Sequence, residues 1–505
     1  MPEKVLKKLN IPHEYKVCFI AALVVGLLAH LYKITNWLPN WDSLVFRYDS
    51  QNMLALGRWF LPVVCSFGSF YDLPFLSGIT AIVFHALGAV CICRMFDVRK
   101  TITAFLTGAV IVSFPTVTSV MMYNYVADGY SIAFFLSTLA ALLMTKKKIL
   151  LPAVLIALSC GIYQSYITVT IMLVLLKLID EIIYEESSFG DILKKSVSMF
   201  VTGALGMALY AVILKILLGI FSVELLDYQG INSSASLSGI NLFASLYVVK
   251  ETFVKCFFDI SGGVNVYVVL NALVFVFTVV YYLKYTAKNK FYKNPANIIM
   301  LVILCVALIM GAGALAFINA DVDYHNLMRM GYSVFYLFFV LLYERGEDTA
   351  VKCWGVLLIA VAVITNQVVI ANVSYHKAQI AYEKSYGILM RITDRIEQTQ
   401  QDCDKILVIG ALDNSEAYSV NLAPDITGIT DGYIIRADDE TVGQSVLTSA
   451  LNDYCEKNYE FVSGEEKKKL LQTEEVKAMK KWPSKDCISV IDNTLVIMLG
   501  TEGEN

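Results

Sequence analysis

Carboxylates occur in the loops between long apolar segments of this chain, where they could do acid–base chemistry. The loop after the first apolar segment carries Asp42 and Asp49, and Asp128 opens a later segment. One carboxylate can take a proton from a hydroxyl group, and a second can orient that hydroxyl or hold a metal. Asp42 is favoured over Asp49 because it lies only a few residues beyond the segment. These residues indicate group transfer to a hydroxyl, as sugar transfer requires.

Cationic and polar residues near the same loops could neutralise a phosphate or bind a sugar. The candidates are Arg58, Lys250, Lys255, His325 and Arg329, with Tyr163 and Gln164 at a turn. Arg329 lies just inside an apolar run, where an unpaired guanidinium is costly. We therefore expect it to have an anionic partner, either Asp321 or Asp323 or the phosphate of a ligand.

Each candidate also has a purely structural interpretation. Asp128 is at a position typical of a helix N-cap, and polar residues such as Gln164 are common in turns. Asp42 and Asp49 could line the polar face of an interfacial amphipathic helix. The Asp321-x-Asp323 spacing suits a metal but is frequent by chance. These alternatives stay open at the level of the sequence.

Composition places most of the chain in a membrane. Of 505 residues, 57% are hydrophobic and 17% are charged, whereas soluble domains have about a quarter charged. Apolar runs long enough to span recur along the chain, and a division near Tyr163 brings the prediction to about eleven spans. The net charge of −4 is spread along the chain, so nucleic acid is not an expected partner.

Lysine and arginine in alternate loops predict the orientation. Basic loops follow every second span, at Arg99–Lys100, Lys146–Lys148, Lys194–Lys195, Lys284–Lys293 and Arg345–Lys352. The positive-inside rule then places the N-terminus in the cytoplasm and the candidate residues outside. The expected location is a bacterial plasma (inner) membrane, with the C-terminal tail on the extracytoplasmic side.

The tail has a composition of its own. After His376 the sequence becomes mixed and charged, and strands are predicted at Lys405–Gly410 and on both sides of Asp492–Asn493, where a hairpin is expected. The predicted architecture is an all-α polytopic membrane region at 1–376, followed by a small extracytoplasmic α/β domain at 377–505.

Four short motifs together resemble a known family. They are Asp42 in the first loop, Gly57-Arg58-Trp59, Ala127-Asp128-Gly129-Tyr130 and Gly161-Ile-Tyr-Gln-Ser-Tyr166. Their order is similar to that in the type II serotype-conversion (Gtr-type) membrane glucosyltransferases of the GT-C superfamily. The resemblance implies transfer of a hexose, glucose by analogy, from a polyprenyl-phosphate donor to a cell-surface glycan. By position it assigns the general base to Asp42 and a second acidic role to Asp128.

Other functions and cofactors stay open. A surface-polysaccharide polymerase or a lipid-linked glycan flippase would also face outward with many spans. The residues indicate no particular cofactor, and a divalent metal is left open because a lipid phosphate carries less charge than a nucleotide diphosphate. Nucleotide sugars and ATP are cytoplasmic, and the sequence has no Walker A or dinucleotide-binding motif. This favours a donor carried by membrane lipid.

Overall fold

The computed structural model describes residues 11–40, 42–43, 50–68, 71–185, 187–226, 241–260, 263–321, 324–412 and 440–500. Contacts between residues divide the chain into two compact units. The helical unit comprises 1–35 and 48–372, and the tail unit comprises 36–47 and 373–505. The division after residue 376 stays a prediction, and the contacts add that segment 36–47 groups with the tail.

The helical unit is built from helices joined by short turns. In chain order they are α1 (His13–Thr35), α2 (Ser50–Ala55), α3 (Leu61–Cys65), α4 (Pro74–Met95), α5 (Thr101–Ser113), α6 (Pro115–Met122), α7 (Ala127–Thr145), α8 (Leu150–Ile162), α9 (Ile167–Tyr184), α10 (Phe189–Phe221), α11 (Leu242–Phe257), α12 (Val266–Lys288), α13 (Pro295–Ala312), α14 (Val334–Glu344) and α15 (Ala350–Gln398). The boundary between the two units falls within α15.

Among the described residues, seven helices are long and apolar enough to cross a bilayer: α1, α4, α7, α10, α12, α13 and α15. Helices α5 and α6 bend by 43° and make an eighth span if counted together. Pro115 begins α6 and cannot donate a backbone hydrogen bond, which explains the bend. The prediction of about eleven spans adds α8 and Met330–Glu344, which are shorter, and α9, which carries Lys177, Asp180 and Glu181. That total stays a prediction.

Small residues let the first helices pack closely. A Cβ atom on Gly108 of α5 would lie 2.3 Å from the carbonyl oxygen of Cys18 in α1. The same addition at Gly78 of α4 would lie 2.1 Å from the Ile34 side chain. Close backbone approach of this kind is a common way for helices to associate in lipid, where no hydrophobic force drives them together.

Basic loops and carboxylates meet at one end of the helical unit, which we call the ion-paired end. The guanidinium of Arg345 donates to both carboxylate oxygens of Asp180, at 2.9 and 2.8 Å. Lys195 pairs with Glu181 at 2.7 Å, and backbone amides of Arg99 and Lys100 donate to Glu344. The predicted basic loops thus gather at one end; the side of the membrane on which they lie stays a prediction.

The other end of the helical unit contains the 3₁₀ turn Gln164–Tyr166, which joins α8 to α9 at the predicted break. We call it the hairpin end. The start of α7 and the 3₁₀ turn Met330–Ser333 before α14 also lie there, since a Cβ on Gly331 would meet the Thr168 side chain at 2.7 Å. Helices α7, α9 and α14 run from this end toward the ion-paired end.

The tail unit contains a four-stranded mixed sheet. Its strands are β1 (Lys405–Ile409), β2 (Glu460–Phe461), β3 (Ile488–Ile491) and β4 (Thr494–Met498), in the order β2-β1-β4-β3. β1 is parallel to β2 and β4, while β3 and β4 form the predicted antiparallel hairpin. Asp492 and Asn493 both have positive φ, as a tight hairpin turn requires. The small sheet near the C-terminus is therefore confirmed.

Helices cover both faces of this sheet. One core contains Leu389 and Ile392 of α15, Val446 and Leu447 of α16 (Glu440–Tyr454) and alternate strand residues such as Ile406. The other contains Leu407, Leu470 and Val476, the last two from α17 (Gly464–Leu471) and α18 (Glu474–Ala478). Because side chains alternate between the faces of a strand, Ile406 and Leu407 enter different cores.

Candidate functional site

Asp128 lies in the first turn of α7 at the hairpin end and is only 7% exposed. Val126 occupies the N-cap position, so the interpretation of Asp128 as the N-cap is wrong. Its Oδ1 accepts from the Gly129 amide at 2.8 Å and from the Cys65 thiol at 3.9 Å. No cation among the described residues pairs with it. The positive end of the helix dipole is its main stabilising field.

Arg58 lies beside two stacked tyrosines. One of its terminal nitrogens donates to the hydroxyl of Tyr130 at 3.1 Å, and its guanidinium is 4.8 Å from the ring centre of Tyr163. The rings of Tyr130 and Tyr163 stack with centroids 4.7 Å apart. Tyr130 and Tyr163 are 2% and 5% exposed, so the two buried rings fix the Arg58 guanidinium beside the first turns of α7, close along the chain to Asp128.

The Gly57-Arg58-Trp59 segment is fastened to the turn between α8 and α9. Gln164 donates to the Leu56 carbonyl at 3.1 Å, and the hydroxyl of Tyr210 in α10 donates to the Gly57 carbonyl at 3.0 Å. The Phe60 amide donates to the Gly161 carbonyl at 2.7 Å. Gln164 therefore acts through the backbone that carries Arg58. Three of the four sequence motifs meet at this point.

Arg329 is buried at the same end of the helical unit, with 9% of its surface exposed. Its Nε donates to the Tyr324 carbonyl at 2.8 Å and its Nη1 to the Asn326 side chain at 2.7 Å. The expected ion pair with Asp321 is not formed, because neutral oxygens hold the guanidinium instead; Asp323 lies outside the described residues. No described residue accepts from Nη2.

Arg329 opens on a cleft of about 210 Å³, which we call the Arg329 cleft. Its lining residues are Tyr247, Val248, Glu251, Thr252, Lys255, Tyr324 and Arg329. Two cations and one carboxylate among them give the lining a net charge of +1. Glu251 is itself partly neutralised by Lys250, at 3.5 Å. The cleft therefore favours an anion.

The remaining predicted candidates occupy different places. Lys255 lines the Arg329 cleft, whereas Lys250 is 69% exposed and lies over the Tyr247 ring. His325 precedes the 3₁₀ turn Asn326–Met328, and its carbonyl accepts from the Met328 amide. No group of three or more His, Cys, Asp or Glu side chains placed to hold a metal occurs among the described residues.

Asp42 groups with the tail unit and is partly buried. Asp42 and Ser43 are helical, and the Ser43 amide and hydroxyl both donate to the Asn40 side chain, at 3.0 and 2.9 Å. Its predicted role as a base stays a prediction. Asp49 lies outside the described residues.

Tyr130, Tyr324 and Tyr332 were not among the predicted site residues. Tyr130 binds Arg58, and Tyr332 is 2% exposed with a buried hydroxyl that has no partner among the described residues. Tyr332 shares a small enclosed pocket with Arg329 and Thr168. Tyr130 belongs to the motif Ala127-Asp128-Gly129-Tyr130, so its closeness to Asp128 in the sequence could have identified it as a site residue. Nothing in the sequence distinguished Tyr324 and Tyr332 among 29 tyrosines.

The seven described helices that are long and apolar enough to cross a bilayer indicate a multi-spanning membrane protein. A family model described as glucosyl transferase GtrII matches residues 31–343, more than half of the chain. The chain therefore belongs to the GtrII glucosyltransferase family and is a membrane glycosyltransferase. The resemblance inferred from the four motifs is confirmed. Neither a curated protein nor a solved structure matches the chain.

Proposed function

We propose that the protein moves a hexose, glucose by family analogy, from a polyprenyl-phosphate donor to a cell-surface glycan on the extracytoplasmic face. The observation that carries the proposal is the pair of buried, oppositely charged residues at the hairpin end. Asp128 and Arg329 each lack an ion-pair partner among the described residues. A buried charge without a partner is costly in a membrane protein. A ligand that places a phosphate at Arg329 and a hydroxyl group at Asp128 would account for both residues.

The donor phosphate is assigned to the Arg329 cleft. Nη2 of Arg329 and the ammonium of Lys255 supply donors there, and Tyr324 and Tyr247 supply aromatic walls. A guanidinium preset by two neutral hydrogen bonds needs no rearrangement to bind an anion. It would also stabilise the extra negative charge that develops on phosphate as the sugar leaves.

The sugar is assigned to the aromatic group around Arg58. Tyr130, Tyr163 and Tyr166 form neighbouring ring contacts, with centroids between 4.7 and 6.5 Å apart. These rings are buried, at 2%, 5% and 0% exposed, and they hold Arg58 in place, while Arg58 and Asp128 suit the hydroxyl groups of a hexose. Asp128 would orient a hydroxyl by accepting its proton in a hydrogen bond.

The reaction is a single displacement at the anomeric carbon. Asp42, the base by family analogy, takes the proton of the acceptor hydroxyl as its oxygen bonds to the anomeric carbon. The bond between that carbon and the phosphate oxygen breaks, and both of its electrons leave with the lipid phosphate. Arg329 and Lys255 meet the charge of this leaving group.

The test is to incubate the purified protein with polyprenyl-phosphate glucose and a surface-glycan acceptor. We expect free polyprenyl phosphate and a glucosylated acceptor in equal amounts. Donors with other hexoses, or with a lipid-linked oligosaccharide, separate the proposed reaction from polymerisation. Transfer of whole oligosaccharide units, or movement of donor across the bilayer without release of lipid phosphate, would contradict the proposal.

Two substitutions test the carboxylates in the same assay. Asp42→Asn should lower transfer by roughly 100-fold or more, the range of general acid–base effects. Asp128→Asn should lower it by up to about 100-fold, the range of orientation effects. Glu224→Gln serves as the control because Glu224 is an exposed carboxylate of the helical unit, which also contains Asp128. Full activity of folded Asp42→Asn protein would show that Asp42 is not the general base. The assignment of the donor phosphate would then be tested separately, by substitution of Arg329.

A further inference from the structure

The first loop, which carries Asp42, is part of the tail unit rather than of the helical unit. Residues 36–47 group with 373–505. Within this unit the indole of Trp37 stacks on the ring of Tyr454, with centroids 5.5 Å apart and planes 28° from parallel. The sequence contained no sign of this contact, because the two residues are more than 400 positions apart.

Tyr454 is held firmly by the tail unit. It is the last residue of α16, whose Val446, Leu447 and Leu451 are buried in the core beside the sheet. The next residue, Cys455, has its sulfur 3.0 Å from the Thr393 hydroxyl of α15. The Tyr386 ring packs on Tyr454 at 5.9 Å, nearly edge-on. The ring that Trp37 meets is therefore a fixed surface.

Residues between Trp37 and Asp42 in the loop are also packed. Leu38, directly after Trp37, is 2% exposed, and Asn40 is fully buried. The Asn40 side chain accepts both Ser43 hydrogen bonds, which holds the helical residues Asp42 and Ser43 in place. From Trp37 to Ser43 the described residues are thus either packed or hydrogen-bonded on both sides of Asp42.

We infer that the tail domain positions the loop that carries Asp42, and that Tyr454 acts as a positioning residue through its stack on Trp37. The inference rests on the proposed function, in which Asp42 is the base. A base must be held within a fraction of an ångström for efficient proton transfer, and misplacement by about 1 Å can cost roughly 100-fold in rate. The tail then contributes to turnover without touching substrate.

Activity of four variants tests the inference. Trp37→Ala and Tyr454→Ala should each lower kcat by roughly 10- to 100-fold while the donor KM stays nearly unchanged, because the donor phosphate is assigned elsewhere. The double variant should lose no more than either single one, since both remove the same contact. Tyr454→Phe should restore the rate because it keeps the ring, and Tyr454→Leu should not.

Phe461→Ala is the matched control, because Phe461 is a partly exposed aromatic residue of the same unit, in β2. Thermal unfolding of every variant shows whether the tail still folds. If the losses of Trp37→Ala and Tyr454→Ala multiply in the double variant, the inference is overturned. If both variants turn over as fast as the Phe461→Ala control, hydrogen exchange decides which statement fails, the positioning role of Tyr454 or the assignment of Asp42.

Hydrogen exchange of residues 37–43 separates this inference from the proposed function. In Tyr454→Ala protein we expect faster exchange in 37–43, including the Ser43 amide, with β1 and β4 unchanged. Unchanged exchange in 37–43 would overturn the positioning role, whatever Asp42 does. Faster exchange with an unchanged kcat would show that Tyr454 holds the loop but that the position of the loop does not affect the rate. That result would contradict the assignment of Asp42 as the base.

Discussion

Asp180 at the ion-paired end and two residues at the hairpin end, Asp128 and Arg329, are buried charges that the structure holds in different ways. At the ion-paired end Asp180 is 3% exposed and receives two hydrogen bonds from Arg345. At the hairpin end Asp128 is nearly as buried but is held by one amide and one thiol, and Arg329 by two neutral oxygens. Charges that stabilise the fold are neutralised by one another, whereas charges kept apart are available to a ligand.

The comparison predicts that matching substitutions at the two ends have different consequences. Asp128→Asn should lower sugar transfer by up to about 100-fold, because it weakens the hydrogen bond that orients a hydroxyl. It should leave stability unchanged or raised, because it removes a buried charge that has no ion-pair partner among the described residues. Asp180→Asn should lower the free energy of unfolding by about 3 to 5 kcal/mol, because it leaves Arg345 without its partner. Denaturation and transfer assays on both variants check this.

The contrast would be broken by the reverse result. If Asp180→Asn abolished transfer in protein that is as stable as wild type, the ion-paired end would take part in the reaction. A large loss of stability in Asp128→Asn would show that Asp128 is a structural residue.

Substitution of Arg329 sharpens the assignment of the phosphate. Arg329→Ala should raise the donor KM by roughly 10- to 100-fold, as expected for loss of a charged hydrogen bond. Arg329→Lys should recover only part of this, because a lysine cannot keep both internal bonds and also reach the cleft. Initial rates over a range of donor concentrations measure the effect. Equal KM values for the three proteins would place the phosphate elsewhere.

Gly57 tests how the Arg58 segment is held. Gly57 has φ of +75°, and an added Cβ would lie 2.7 Å from the Tyr210 hydroxyl and 2.8 Å from Gln164. Gly57→Ala should therefore lower the free energy of unfolding by about 1 to 3 kcal/mol. If the backbone shifts to relieve the strain, Arg58 is displaced and the transfer rate falls instead. Unfolding and transfer rates together measure it. A variant that matches wild type in both would show that this backbone is not constrained.

The smallest effect is expected from an exposed pair at the ion-paired end. The hydrogen bond and charge of Lys288 lower the pKa of Glu347. The contribution of this ion pair to stability is present above the ordinary pKa of a glutamate. It is lost as the pH falls through the lowered pKa of Glu347. The difference in the free energy of unfolding between wild type and Glu347→Gln should therefore become smaller as the pH falls. It should also become smaller at high salt. A difference that is constant with pH would contradict it.

Much of the helical architecture follows from local sequence. Long apolar runs predicted α1, α4, α7 and α12, and polar residues at Tyr163–Ser165 predicted the turn between α8 and α9. The bend at Pro115 was overlooked because residues on both sides of it are equally apolar. Strand β2 has only two residues and depends on its pairing with β1, so no local pattern could indicate it.

The candidate site was predictable in its residues but not in its contacts. Asp128, Arg58 and Arg329 were identified because charges are rare beside apolar segments. The sequence predicts an anionic partner for Arg329, either Asp321 or Asp323 or a ligand phosphate. Among the described residues a carbonyl and an amide oxygen hold it, and such groups occur everywhere in a sequence. The stacking of Trp37 on Tyr454 joins distant parts of the chain and depends on how the tail folds.

Binding of polyprenyl phosphate tests the central claim, that the hairpin end keeps its cations for a lipid phosphate. The measurement compares polyprenyl phosphate with neutral polyprenol, on wild type and on Arg329→Ala, at fixed salt. We predict that wild type prefers the phosphate by roughly 10-fold or more and that Arg329→Ala loses most of this preference. Equal binding of both lipids by wild type would contradict the account.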